Sequence, residues 1–299
     1  MVSFDIRPYI RRAFLLRIPV RINNKFNRSA GVTTLIDDRP IGLFDSGLGG
    51  LTVFRELEKL LPAESVIYFG DTANVPYGSR RPDELLELAD KIVSYLTRQG
   101  VKYIIFACNT SSALSLPVLK KRYPTPMLGV IEPGAIEAAR LTRNKRIGLM
   151  ATEATVNSGA YLRVMENIDG AIKLLSGATP LLVPLVESGE SNSPVRADVV
   201  RESLAPWYGS GIDTMLLGCT HYPFLAETIT AQLDPGVRLA DPAGAAVRAA
   251  MEEMSELGLL SAGGRAPRRR FVVSGDPEDF RRKAKLLTGN DPGLVEIAE

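Results

Sequence analysis

The chain has 299 residues, 45% hydrophobic and 23% charged, with 36 basic and 34 acidic side chains and a formal net charge of +2. That composition belongs to a folded protein of one large or two ordinary domains, and it lacks the basic excess of a nucleic-acid binder. Two cysteines exclude a disulfide-stapled secreted scaffold, and no apolar run of about 18 residues is present to span a membrane, so a cytoplasmic location is expected.

Residues 1–40 carry eight basic and three acidic side chains, a surplus of five, and the rest of the chain is at minus three. The only apolar piece there, Ala13 to Leu16, is cut by Arg17 and is too short for a secretory signal. An Arg-rich, acid-poor segment fits a transit peptide or a surface-binding arm, but the plainer expectation is a flexible basic extension.

Regular patterning starts at Ile41–Asp45, an apolar run ending in a carboxylate and followed by Ser46-Gly47-Leu48-Gly49-Gly50. Leu51 to Leu61 has apolar residues at helical spacing, Val66–Phe69 reads as a strand, and Asp83 to Gln99 as a helix stopped by Gly100. Tyr103–Ala107 is a third strand, Thr110 to Arg122 a helix, and Met127–Ile131 a fourth strand, before Pro133-Gly134 punctuates the chain. A second series follows: strand Arg146–Met150, helix Val156 to Asn167, strands at Leu174–Leu175 and Leu181–Val186, helix Val195 to Tyr208, strand Thr214–Gly218 and helix Tyr222 to Leu233. After Asp241-Pro242 come helix Ala243 to Leu257, a Gly/Pro/Arg loop from Gly263 to Arg269, strand Phe271–Ser274 and helix Glu278 to Leu287. Apolar strands without alternation are buried on both faces, which predicts an α/β fold with mainly parallel sheets covered by helices.

The two series resemble each other. Ile41-Gly42-Leu43 opens one and Ile147-Gly148-Leu149 the other, 106 positions apart, and the strand ends at Cys108 and Cys219 are 111 apart. An internal duplication explains that agreement better than the general likeness of α/β units.

Ligands of parallel sheets bind beyond the carboxyl ends of the strands. Four polar clusters occupy such ends: Asp45-Ser46, Asp71-Thr72 with Tyr77-Gly78, Cys108-Asn109-Thr110, and Cys219-Thr220-His221. Gly47-Leu48-Gly49-Gly50 has neither a P-loop Lys-Ser/Thr nor dinucleotide spacing, so a tight turn is its expected role. A lone cysteine is usually a small buried hydrophobe. These two are flanked by Asn, Thr and His and sit at matching places in two similar halves. No C-x-x-C motif is present, and two cysteines with one histidine fall short of a zinc site. Paired thiols facing one ligand suit a racemase, in which a thiolate takes a Cα proton from one face and a thiol returns one to the other. The Cα–H is a very weak acid, so preorganised donors must stabilise the carbanion.

Four segments carry a resemblance to a known family: Ile41-Gly-Leu-Phe-Asp-Ser-Gly-Leu-Gly-Gly-Leu-Thr-Val53, Tyr68-Phe-Gly-Asp-Thr-Ala-Asn-Val-Pro-Tyr-Gly78, Ala107-Cys-Asn-Thr-Ser-Ser-Ala113 and Leu216-Leu-Gly-Cys-Thr-His-Tyr-Pro223. Together they are similar to the glutamate racemases of the aspartate/glutamate racemase superfamily. The resemblance implies cofactor-independent interconversion of L- and D-glutamate, with no metal, supplying D-glutamate for bacterial peptidoglycan. It makes Cys108 the base for the D-isomer and Cys219 the base for the L-isomer, with Asp45 assisting the first and Glu187 and His221 the second. Asp45, Ser46, Tyr77, Gly78, Asn109, Thr110, Thr152, Thr220 and His221 match substrate-binding positions. Each helper also has a simpler role open to it: Asp45 as a helix cap, His221 as a core hydrogen-bonder, Glu187 as a solvated loop residue.

The implied fold is two pseudo-symmetric three-layer α/β domains with the active site in the cleft between them. Residues 41–134 with 242–299 form the first domain and 135–241 the second. A homodimer without membrane contact or direct nucleic-acid binding is expected. An aspartate racemase, and a racemase-like protein that also binds DNA gyrase, are the alternatives. The long basic segment 1–40 departs from the family, some of whose members carry a shorter extension linked to regulation by a cell-wall precursor.

Overall fold

The computed structural model describes residues 37–188 and 194–298, so the basic extension falls outside the described residues except for 37–40. Two parallel sheets organise the chain. The larger takes β1 (Ile41–Asp45), β2 (Val66–Gly70), β3 (Tyr103–Phe106), β4 (Met127–Gly129), β9 (Arg269–Val273) and β10 (Val295–Ile297), in the order β10-β9-β2-β1-β3-β4. The smaller takes β5 (Arg146–Ala151), β6 (Lys173–Ala178), β7 (Thr214–Gly218) and β8 (Arg238–Ala240), in the order β6-β5-β7-β8. In both sheets the strand that opens the series is central, and β1 and β5 pair in parallel on both sides.

The unalternated apolar runs have the predicted consequence. Along β1, Ile41 and Leu43 join one core while Phe44 joins the core on the opposite face. The smaller sheet is likewise sandwiched, with Met150 on one side and Ile147 and Leu149 on the other. Helices supply the outer layers: α1 (Leu51–Leu60), α2 (Pro82–Arg98), α3 (Asn109–Leu114), α4 (Leu116–Arg122), α5 (Ile131–Leu141), α6 (Glu153–Asn157), α7 (Ala160–Ile168), α8 (Leu182–Glu187), α9 (Pro194–Leu204), α10 (Ala226–Gln232), α11 (Pro242–Glu256) and α12 (Pro277–Thr288). Local chemistry fixes several ends. Asp276 accepts from the N–H groups of Glu278 and Asp279 to open α12, which Gly289 closes in the left-handed region at φ +76°. Among the described residues no helix is long and apolar enough to cross a membrane.

Four expectations need correction. Leu181–Val186 is not a strand: Leu182–Glu187 is a helix that buries Leu182, Val183 and Val186. A short apolar run does not distinguish the two, and Pro184 sits in the first turn, where no N–H is required. The helix expected over Thr110 to Arg122 is broken at Ser115, where Leu116-Pro117 starts a new one. Val156 to Asn167 is interrupted by Gly159 at φ +63°. Pro133-Gly134 does not break the chain, because Pro133 lies in the first turn of α5. Sequence patterning also gives no signal for two edge strands, β8 and β10.

Residues 37–40 enter beneath the larger sheet. There the buried Lys102 ammonium lies 2.6 Å from Glu64 and donates to the Asp37 carbonyl at 2.6 Å. At the other end the sheets approach each other through α5 and α11: a Cβ on Gly134 would stand 2.9 Å from Pro242, so only hydrogen fits there.

Candidate active site

Every polar cluster singled out at a strand end arrives in one place. Ser46 follows β1, Tyr77 and Gly78 lie in the loop after β2, and Cys108, Asn109 and Thr110 follow β3. Thr152 follows β5, and Cys219, Thr220 and His221 follow β7. All of these line one cavity of about 120 Å³ between the two sheets. Parallel strands direct their carboxyl ends the same way, so each sheet gathers its polar clusters at one edge, and both edges line the same cavity. Asp45, Asp71, Thr72 and Glu187 do not line the cavity; Asp45, Asp71 and Glu187 each stand behind a residue that does.

The two thiols are buried in unlike surroundings. On the Cys219 side, the sulfur lies 3.7 Å from His221 Nδ1, and His221 Nε2 lies 2.7 Å from Glu187 Oε1. Burial by itself would lower the His221 pKa, but hydrogen bonds to Cys219 and Glu187, and their charges, raise it well above its ordinary value. Burial pushes the Glu187 carboxyl up, and the His221 hydrogen bond and charge with the Leu48 N–H outweigh that, so it ends below the usual range. His221 is thus held between a sulfur and a carboxylate, both of which favour its charged form. On the Cys108 side, burial and the neighbouring Asp45 charge push the thiol up to about 12. The Ser111 N–H and hydroxyl lower it without offsetting those effects. That hydroxyl is wholly buried and has no well-formed hydrogen bond. Asp45 is itself raised, first by burial, against the opposing His221 charge, the Gly47 and Gly50 N–H groups and the Thr220 hydroxyl.

The glycine run explains how the halves lock together. A Cβ on Gly49 would lie 2.3 Å from Thr220 Oγ1 and 2.6 Å from His221 Nδ1, and one on Gly47 would lie 2.8 Å from Glu187 Oε1. The loop is therefore a seam against the Cys219 cluster, a close-approach turn rather than a nucleotide cradle. Across it, Thr220 Oγ1 donates to Asp45 Oδ1 at 3.1 Å and Thr52 Oγ1 donates to the Thr220 carbonyl at 3.3 Å.

Tyr77 is placed at the cavity, but its hydroxyl is committed to Asp71, which also accepts from Ser274 at 2.6 Å and Asn74 at 2.9 Å. Ser79, which also lines the cavity, and main-chain N–H groups are what this loop has left to offer a ligand. Sequence reasoning missed Thr155, whose hydroxyl closes a triangle with Thr110 (3.2 Å) and Thr152 (2.9 Å), themselves 2.9 Å apart. It also missed Ser111 and Thr179. The only signal for Thr155 was its spacing of three from Thr152, which makes Thr152 the cap of α6. Among the described residues no group of three His, Cys, Asp or Glu side chains is arranged to hold a metal ion.

A family model described as Asp/Glu/Hydantoin racemase matches residues 41–250. The chain belongs to that racemase family. A glutamate racemase of Desulforudis audaxviator is 52% identical over 261 residues, 85% of this chain and 96% of that one. The crystal structure of Francisella tularensis glutamate racemase in complex with D-glutamate superposes with a TM-score of 0.82 at 34% identity, covering 88% of this chain and 98% of that one. Escherichia coli glutamate racemase, in complex with L-glutamate and the activator UDP-MurNAc-Ala, gives 0.72 at 29% identity, covering 87% and 98%. The racemase match spans the Asp45, Cys108 and Cys219 clusters alike.

Proposed function

We propose that the chain interconverts L- and D-glutamate by a two-base mechanism in which Cys219 and Cys108 work on opposite faces of one Cα, without a prosthetic group. The observation that carries this reading is that both sulfurs, from equivalent strand ends of two sheets, line a single cavity, each backed by its own charged partner. The glutamate racemase relatives supply the substrate.

In the L-to-D direction the Cys219 thiolate takes the Cα proton and becomes a thiol, leaving the electron pair on the substrate as a carbanion delocalised into its carboxylate. The Cys108 thiol protonates the other face and becomes a thiolate. The product is inverted and the protonation states of the two sulfurs have exchanged, so a proton must move through solvent before the next turnover. Burial and Asp45 keep Cys108 a thiol at rest, the form that returns a proton to the carbanion made from L-glutamate. His221 favours its charged form beside the sulfur that must ionise, and Asn109, Thr110, Thr152 and Thr220 are the polar side chains that hold the substrate. Ser46 and the Tyr77-Gly78 main chain complete the binding set.

Supply of D-glutamate to peptidoglycan, a cytoplasmic homodimer, and a division into domains 41–134 with 242–299 and 135–241 belong to the same reading. The strands of the two sheets, drawn from 41–129 with 269–297 and from 146–240, support that division. The test is incubation with either isomer in deuterated water. Deuterium enters Cα as optical activity decays, and both Cys108→Ser and Cys219→Ser abolish the decay, because a hydroxyl is a far weaker base than a thiolate. Absence of deuterium at Cα, or full racemisation by either variant, overturns the proposal.

A further inference from the structure

Asn109 opens α3 at the end of β3, yet what it presents to the cavity is decided from the other side of the cleft. Tyr161, on α7, is 1% exposed, and its hydroxyl donates to Asn109 Oδ1 over 2.6 Å. A carboxamide is two-ended: its oxygen accepts, its NH₂ donates twice, and a half-turn exchanges them. The phenol settles the choice. A buried hydroxyl proton left unpaired is costly, and Asn109 Oδ1 is its acceptor. Burial raises the phenol pKa well above its ordinary value, so the proton is there to be donated at any working pH. With the oxygen committed, the NH₂ is the free end.

We propose that Tyr161 is a positioning residue that locks the Asn109 carboxamide with its NH₂ toward the cavity, so that Asn109 meets the substrate as a donor and takes one of its carboxylate oxygens. A flipped amide would set an oxygen against that carboxylate and repel it. The inference rests on the reading of Asn109 as a substrate-binding residue and adds its polarity and the group that fixes it. The position of the phenol gives the lock a second property. A Cβ on Gly134 of α5 would lie 3.3 Å from Tyr161 Oη and 2.9 Å from Pro242 of α11, so the phenol sits where both connections between the sheets pass. The donor end of Asn109 is therefore presented only while the two sheets hold this arrangement.

The experiment is a double-mutant cycle on the full chain with Tyr161→Phe, Asn109→Ala and the pair, measuring kcat and KM for both glutamate isomers together with melting temperature. Tyr161→Phe keeps the ring packing and removes one proton. It is expected to raise KM about five- to tenfold for both isomers, the worth of one buried hydrogen bond, with kcat within about twofold. Asn109→Ala raises KM at least as much, and Tyr161→Phe adds nothing in that background. An unchanged KM in Tyr161→Phe while Asn109→Ala raises it, or an equal rise in both backgrounds, overturns the positioning role and leaves Asn109 as a binding residue. An unchanged KM in Asn109→Ala removes that underlying reading, and the inference with it.

Discussion

Ser111→Ala isolates what a single hydroxyl contributes to the Cys108 thiol. Ser111 is wholly buried, its hydroxyl has no well-formed bond elsewhere, and it favours the Cys108 thiolate. Alanine keeps α3 intact and strands no partner, so stability is expected to hold. A hydrogen bond to a charged acceptor contributes about 1.5–3 kcal/mol, or roughly one to two pKa units. Taking the lower figure because the bond is poorly formed, the Cys108 thiol rises about one unit further. The thiol is already pushed up to about 12, so at working pH the thiolate population drops about tenfold, partly offset because a weaker acid gives a stronger base. A net fall in kcat/KM of about three- to tenfold follows. The equilibrium constant between enantiomers is unity by symmetry, so kcat/KM must fall equally in both directions even though Cys108 is the base in only one. Two assays check this: optical activity from each isomer, and the rate of Cys108 alkylation by iodoacetamide at one fixed pH in a Cys219→Ser background. The alkylation rate should fall about three- to tenfold. An unchanged alkylation rate with unchanged kcat/KM refutes the role of the hydroxyl.

Two other substitutions test the seam and the buried carboxylate. Gly49→Ala drives a methyl to 2.3 Å from Thr220 Oγ1. The loop must shift by about 1 Å, and kcat/KM should fall about a hundredfold with a native circular dichroism spectrum; near-normal activity would show that the seam is compliant. Asp45→Asn trades activity for stability. Burial raises the Asp45 carboxyl, so ionising it in the folded state costs stability as pH climbs from the unfolded-state pKa through the folded one. The variant should melt a few degrees higher than the parent, with a larger difference at pH 8 than at pH 4, while kcat/KM falls about a hundredfold or more. A melting difference that is independent of pH would contradict that account.

The chemistry was legible early because it sits at strand ends. An apolar run followed by Asp-Ser, Cys-Asn-Thr or Cys-Thr-His announces both the strand and the place where a ligand meets it, and repetition of the pattern 111 residues on pointed to a paired site. The strand expected at Leu181–Val186 is instead a helix because six mostly apolar residues carry no usable period, and α8 owes its shape to the core it packs on. Glu187 ends that helix, so its link to His221 could be proposed only by resemblance; no local pattern reaches across 34 residues.

The sequence by itself determined which backbone segments become buried parallel strands and which side chains stand at their carboxyl ends, since both follow from local patterning and from the geometry of a βα unit. The tertiary structure decided the electrical character of those groups. Identical thiols meet unlike surroundings because one is packed beside Asp45, which with burial pushes it up, and the other beside His221 and Glu187. The donor end of Asn109 is chosen by Tyr161 from 52 residues away. Desolvation and hydrogen bonding act through space at a few ångströms, and chain order says little about which distant residues come that close.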